Sequence, residues 1–143
     1  MGSITAANSV IVLGAAGIYN TPQRLQGYAA DDIFSTEDLQ LTETQMGVDG
    51  FLSAGLVFNE IKQAFNLQAD SNSNQIFETI TEAMKAAKDI YWLNATITLP
   101  SLRRKWTMTN GVITTYPPMP SAGKTLKPRK YSISWESMSP SPA

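Results

Sequence analysis

The chain contains no cysteine and no histidine among its 143 residues. The first absence removes disulfides and thiolate chemistry and leaves the redox compartment open. The second removes Ser-His-Asp triads, Cys-His pairs and the usual histidine-containing zinc sites. Long hydrophobic runs are missing as well. The most apolar early stretch, Val10 to Ile18, is broken by Gly14 and Gly17 and is too short to cross a bilayer. No basic segment followed by an apolar core opens the chain, so a protein made in a cytoplasm, with no membrane anchor, is expected. Asn94-Ala95-Thr96 fits a glycosylation sequon, which has no use without a secretory route.

Positive charge is scarce over most of the length. Residues 1–100 hold four Lys/Arg against eleven Asp/Glu, whereas residues 101–143 hold seven Lys/Arg against Glu136 alone. Such asymmetry either is balanced within one molecule or suits copies packed head to tail, acidic face on basic face. Apolar residues make up 43% of the chain, which supports a real core in a single domain and excludes a disordered protein.

The β-branched run Val10-Ile11-Val12-Leu13 predicts a strand over Asn8–Leu13. Gly14 to Gly27 reads as loop with a short extended piece near Arg24-Leu25, and Ile33-Phe34 as another fragment. Alternation over Asp38–Met46 predicts a strand whose two faces are not a simple wet and dry pair. Gly47-Val48-Asp49-Gly50 is a turn signature, since Asp-Gly readily supplies positive φ. Phe51–Phe58 then reads as a returning arm, and Asn59–Ala69 as a long strand.

Asp70-Ser71-Asn72-Ser73-Asn74 is dense in helix-capping residues. Ile76, Phe77, Ile80, Ala83, Met84 and Ala87 follow at helical spacing, predicting one helix over about residues 73–89. Tyr91–Leu99 alternates as a strand. Leu102–Thr109 and Val112–Tyr116 flank Asn110-Gly111, a hairpin signal, and Lys130–Met138 resumes the alternation before a Ser/Pro tail over residues 137–143. The class is α+β, mainly β: an antiparallel β-sandwich or barrel with one flanking α-helix.

Chemistry-bearing motifs are weak. Ala122-Gly123-Lys124-Thr125 ends like a phosphate-binding loop, but the position of its first glycine holds Pro118. Gly14-Ala15-Ala16-Gly17 lacks the third glycine and the helix of a dinucleotide fingerprint. Asp31-Asp32 and Glu37-Asp38 lack the spacing of a calcium loop and read as solvated loop carboxylates. Arg103-Arg104-Lys105-Trp106, with Lys124, Lys127, Arg129 and Lys130, forms a basic cluster. With Trp106 and Tyr131 it could serve a nucleic acid, but the acidic overall balance favours an inter-subunit surface. Neither a cofactor nor a metal is implied, and the protein is expected not to be an enzyme.

Read whole, the chain resembles phage tail tube proteins. The landmarks are Gly47-Val48-Asp49-Gly50 after an acidic strand, the extended Asn59–Ala69 segment and the capping cluster before a single helix. The late hairpin at Asn110-Gly111 and the closing strand Tyr131-Ser132-Ile133-Ser134-Trp135-Glu136 complete the order. The resemblance implies a tail-tube-like domain over 1–143 that forms hexameric rings, in which neighbouring copies continue each other's sheets into an inner barrel. Stacked rings in a virion tail would then conduct DNA, which slides through without specific contacts.

On that reading Glu37, Asp38 and Glu43 lie on or near the lumen. Met46, Val48, Asp49, Phe51, Leu52, Leu56, Val57 and Phe58 belong to a projecting arm (residues 46–58) that contacts the next subunit or ring; otherwise the arm packs on its own core. Arg103, Arg104, Lys105, Lys127, Arg129 and Lys130 form an outer or inter-subunit basic surface. Partners are further copies of the chain, with sheath, baseplate or terminator proteins. Tail terminators, baseplate hubs and secretion-system tubes share the architecture. A monomeric ligand-binding sandwich using Trp92, Trp106 and Trp135, or a carboxylate-pair hydrolase using Asp31 or Asp38, are the competing classes.

Overall fold

The computed structural model describes residues 2–28 and 33–142. The elements run β1 (Val10–Ala15), β2 (Tyr19–Arg24), β3 (Phe34–Thr36), β4 (Thr42–Met46), β5 (Leu52–Leu56), β6 (Ile61–Leu67), α1 (Asn74–Ala87), β7 (Leu93–Leu99), β8 (Arg104–Thr115) and β9 (Arg129–Pro142). Seven strands form one antiparallel sheet in the order β2-β1-β7-β8-β9-β6-β3, and β4 and β5 form a separate two-stranded sheet. The mainly β class with one helix is as the sequence predicts. Asp31-Asp32 lie outside the described residues.

The sheet curls on itself, so that Phe34 of β3 and Gln63 of β6 line one cavity with Ile97 of β7 and Trp106 of β8. Alternation places Ile11, Leu13, Phe65, Leu67, Leu93, Ile97, Ile133 and Trp135 inside, all almost fully buried. The helix lays Phe77 and Ile80 on this core, and Phe77 stacks on Tyr131 with ring centroids 4.1 Å apart. Lys88, at φ 54, ends the helix in the left-handed conformation.

The capping cluster does more than start the helix. The Asn74 side-chain amide donates to the carbonyls of Gln68 (2.9 Å) and Ser71 (3.0 Å), and its oxygen accepts from the Tyr131 hydroxyl at 2.9 Å. Ser73 caps no helical N–H; its hydroxyl accepts from the Gln26 N–H at 2.7 Å. The first turn carries no acid; Glu78 sits one turn further on, where it meets Arg129.

Three expectations give way. The glycine-rich segment after Leu13 is a strand in part: β2, an edge strand carrying Pro22, pairs with β1. The hairpin expected at Asn110-Gly111 does not exist. Both residues lie inside β8, where Asn110 at φ 51 forms a bulge that shifts the register against β7. The true β8–β9 connection is the proline-rich stretch 116–128, in which Ala122 bridges Leu126 and the P-loop-like letters form a tight turn.

The expected Ser/Pro tail is the third. Ser137–Pro142 continue β9, paired with Thr109–Arg104 of β8. Proline is tolerated there because β6 stops opposite Trp135, which leaves one side of this stretch an edge.

Burial pushes the Tyr131 phenol up to about 12 against an ordinary 10.0; nearby Glu78 adds to the rise and Arg129 opposes it. The folded state therefore holds a proton that the unfolded chain releases, so this contribution is complete below pH 10 and is lost as pH rises through about 12. Denaturant titrations should show stability falling over that window by roughly 1–3 kcal/mol more than in Tyr131→Phe. That variant is expected to be weaker at neutral pH, since Asn74 loses a buried donor. Parallel curves above pH 10 would contradict the assignment.

Candidate assembly surface

The segment after β3 leaves the domain as a two-stranded ribbon. Its register pairs Thr42 with Leu56, Thr44 with Ala54 and Met46 with Leu52, and in between Glu43 with Gly55 and Gln45 with Ser53. The turn is built as the Asp-Gly signal requires. Gly50 takes φ 89, the Phe51 N–H donates to the Asp49 carboxylate at 3.2 Å, and the Gly47 N–H donates to the Phe51 carbonyl at 2.9 Å. Val57 N–H to the Leu41 carbonyl (2.9 Å) and the Asn59 side chain to the Gln40 carbonyl (3.3 Å) close the base.

Opposed residues share a face, so pairing sorts the ribbon in a way that β4 alone hides. One face carries Met46, Leu52, Ala54 and Leu56 with two threonines; the other carries Glu43, Gln45, Ser53 and Gly55. Every residue of both strands is exposed. Around the tip and base stand Val48, Phe51 (75% exposed) and Phe58 (92% exposed), while Val57 is half-buried. A lone hairpin is marginal in water, and its exposed apolar face makes the ribbon a candidate interaction surface.

Glu37 and Asp38 are exposed at the base of the arm, where they line a polar depression with Glu60 and Lys62. The Glu37 N–H donates to the Lys62 carbonyl at 2.9 Å. Glu43 is apart from them, on the polar face of the ribbon. Among the described residues no group of three or more acidic side chains is placed to hold a metal ion, and no helix is long and apolar enough to cross a membrane.

The basic residues divide. Pro100–Arg103 form a turn, held by Arg103 N–H to the Pro100 carbonyl at 3.1 Å, with Arg103 at φ 55. The strand therefore starts at Arg104 and not at Leu102, where the sequence pattern puts it. Arg103 and Arg104 are exposed and Lys105 is half-buried at one end of the sheet, while Lys127 and Lys130 are exposed elsewhere.

Arg129 is not a surface residue. It is 4% exposed; Nη1 lies 2.6 Å from Glu78 Oε1, Nη2 donates to the Pro117 carbonyl at 2.7 Å, and the guanidinium lies over the Tyr131 ring. It ties α1 to the β8–β9 connection, a use its place in a run of basic residues concealed.

The tryptophans divide too. Trp135 is fully buried and its indole N–H donates to Gln63, Trp106 is half-buried, and Trp92 is half exposed.

Solved structures with the same fold come from contractile injection systems. The chain matches one in the extended-state sheath/tube terminator of the extracellular contractile injection system PVC at TM-score 0.71 and 10% identity, over 99% of this chain and 98% of that one. It matches one in the tube-terminating cap of the anti-feeding prophage at TM-score 0.63 and 10% identity, over 100% and 93%. A third, in the PVC sheath-tube complex, gives TM-score 0.62 and 10% identity over 99% and 93%. At such identity the likeness is one of fold. A search of curated protein sequences gives no match. The profile of the E217_Gp32 family, described as tail fiber protein gp32, matches residues 2–139, and the chain belongs to that family.

Proposed function

We propose that this protein is a structural subunit without catalytic activity that assembles with copies of itself into rings of a phage-tail-type tube. The observation that carries the reading is the arm: an amphipathic ribbon with its apolar face uncovered, on a domain that shares the fold of tube and terminator structures end to end. Covering that face with a neighbouring copy supplies what the isolated chain lacks. Hexameric rings, contact with sheath and baseplate proteins, and passage of DNA belong to the same proposal, as does assembly in a host cytoplasm into a virion.

The test is negative-stain electron microscopy with light scattering on the purified protein. Rings or stacked tubes with a central channel are expected. A strict monomer at high concentration counts against the proposal, and rods without a channel would point to the fibre named in the family's description. A second reading, a terminator ring at the tube's end, is supported by the higher TM-score of 0.71 to the terminator structure. It predicts single rings that do not stack.

For a conduit, Asp38 and Glu43 repel phosphate from the lumen. Reversing both with Asp38→Lys and Glu43→Lys should leave tubes intact and slow DNA ejection in a phage assay, more at low salt. Unchanged ejection kinetics from normal tubes would remove these residues from the lumen.

A further inference from the structure

We propose that the apolar cleft at the open end of the curled sheet is the seat for the arm of a second copy, with Phe51 as its anchor. The proposal rests on the reading of the arm as an assembly element. The cleft has a volume of about 280 Å³ and lies between β3 and β6 on one side and β7, β8 and β9 on the other, walled by Phe34, Ile97, Leu99, Trp106 and Met138. Its buried amide, Gln63, is already paired: Nε2 donates to Thr36 and Oε1 accepts from Trp135. The cleft thus asks for an apolar guest. A cavity of about 150 Å³ already takes a benzene ring, so a phenylalanine side chain fits with room to spare.

The occupant is identified by charge as well as by shape. From Phe34 to Asn59 the chain has Glu37, Asp38, Glu43 and Asp49 and no Lys or Arg. The rim of the cleft is the reverse, because the register sets Arg104 beside Leu99 on the cleft face of the sheet, with Arg103 in the adjoining turn. An acidic ribbon tipped by Phe51 and flanked by Asp49 is complementary to an apolar slot edged by Arg104 and the Arg103 turn. No arm residue lines the cleft of its own chain. Knob and hole therefore sit at different places on one surface, which makes the contact head to tail and able to propagate around a ring or along a stack.

The test uses two full-length variants, each with one half of the contact. The arm variant carries Phe51→Ser, Leu52→Ser and Leu56→Ser; the cleft variant carries Leu99→Glu, which puts an acid at the half-buried wall. Circular dichroism checks that both fold. Each alone is expected to be monomeric by light scattering, and an equimolar mixture to form a heterodimer that grows no further, since one knob and one hole remain usable. If the cleft variant assembles like the parent while the arm variant does not, the arm keeps its role and the cleft is overturned as its seat. If both assemble, the arm reading falls as well. A mixture that stays monomeric also overturns the seat.

A charge exchange avoids the apolar wall and any folding defect there. Arg103→Glu with Arg104→Glu should weaken association several-fold in a salt-dependent way, and Asp49→Lys added to the same chain should restore part of it. No recovery in the combined variant would overturn the pairing of these charges.

Discussion

Removing Val48–Leu56 is expected to leave a folded monomer that no longer forms rings or tubes. The ribbon buries none of its strand residues and belongs to its own two-stranded sheet, so its loss takes no side chain from the core. Thermal or urea unfolding of the deleted chain should therefore lie close to that of the parent monomer. The association energy behaves differently. Burying a side chain such as Phe51 or Leu52 contributes about 1.5–3 kcal/mol, and association must first overcome roughly 4–15 kcal/mol of lost freedom. With Met46, Val48, Phe51, Leu52 and Leu56 together, the arm supplies a gross term of that same size. Phe51→Ser with Leu52→Ser alone should then weaken assembly by roughly a hundredfold or more. Tubes that persist without the arm would show that the sheet edges hold the rings together, and the apolar face would need another partner.

The arm also shows what a sequence read strand by strand leaves out. The turn at Gly47–Gly50 was legible, because Asp-Gly chemistry is local. The strand before it showed mixed faces, since β4 contributes only Met46 and threonines to the apolar side and the remainder comes from β5 across the ladder. Helix α1 was legible for the opposite reason: its stripe of Phe77 and Ile80 is complete within one element. Arg129 was misplaced because composition counts charge and not neighbours; only the fold brings Glu78 and the Pro117 carbonyl to its guanidinium. The cleft was invisible, as its walls come from strands far apart in the chain and meet only when the sheet curls.

Asn110-Gly111 is the sharpest case, and it carries the second large effect. A hairpin turn would need glycine for positive φ, and Gly111→Ala would then cost about 1 kcal/mol. In the structure the positive φ belongs to Asn110, and Gly111 is needed for its missing side chain: a Cβ there would stand 2.2 Å from Trp135 Cε3 and 2.4 Å from Cζ3. The ring is fully buried, and its N–H at 3.0 Å from Gln63 links β9 to β6, with Gln63 passing the chain on to Thr36 at 3.1 Å. Gly111→Ala must displace that ring and leave Gln63 half paired in the core, so about 3–5 kcal/mol of destabilisation is expected, comparable to deleting a large core side chain. Asn110→Gly, which relieves the left-handed backbone but loses the exposed hydrogen bond from the Asn110 amide to the Glu136 carboxylate, should cost about 1 kcal/mol or less. Trp135→Leu is itself destabilising, yet Gly111→Ala added to it should cost far less than it does alone, because the opposing ring edge is gone. A double-mutant cycle read by urea unfolding measures this coupling, expected at about 1–3 kcal/mol. Additive losses would mean that the glycine serves its backbone and not the tryptophan.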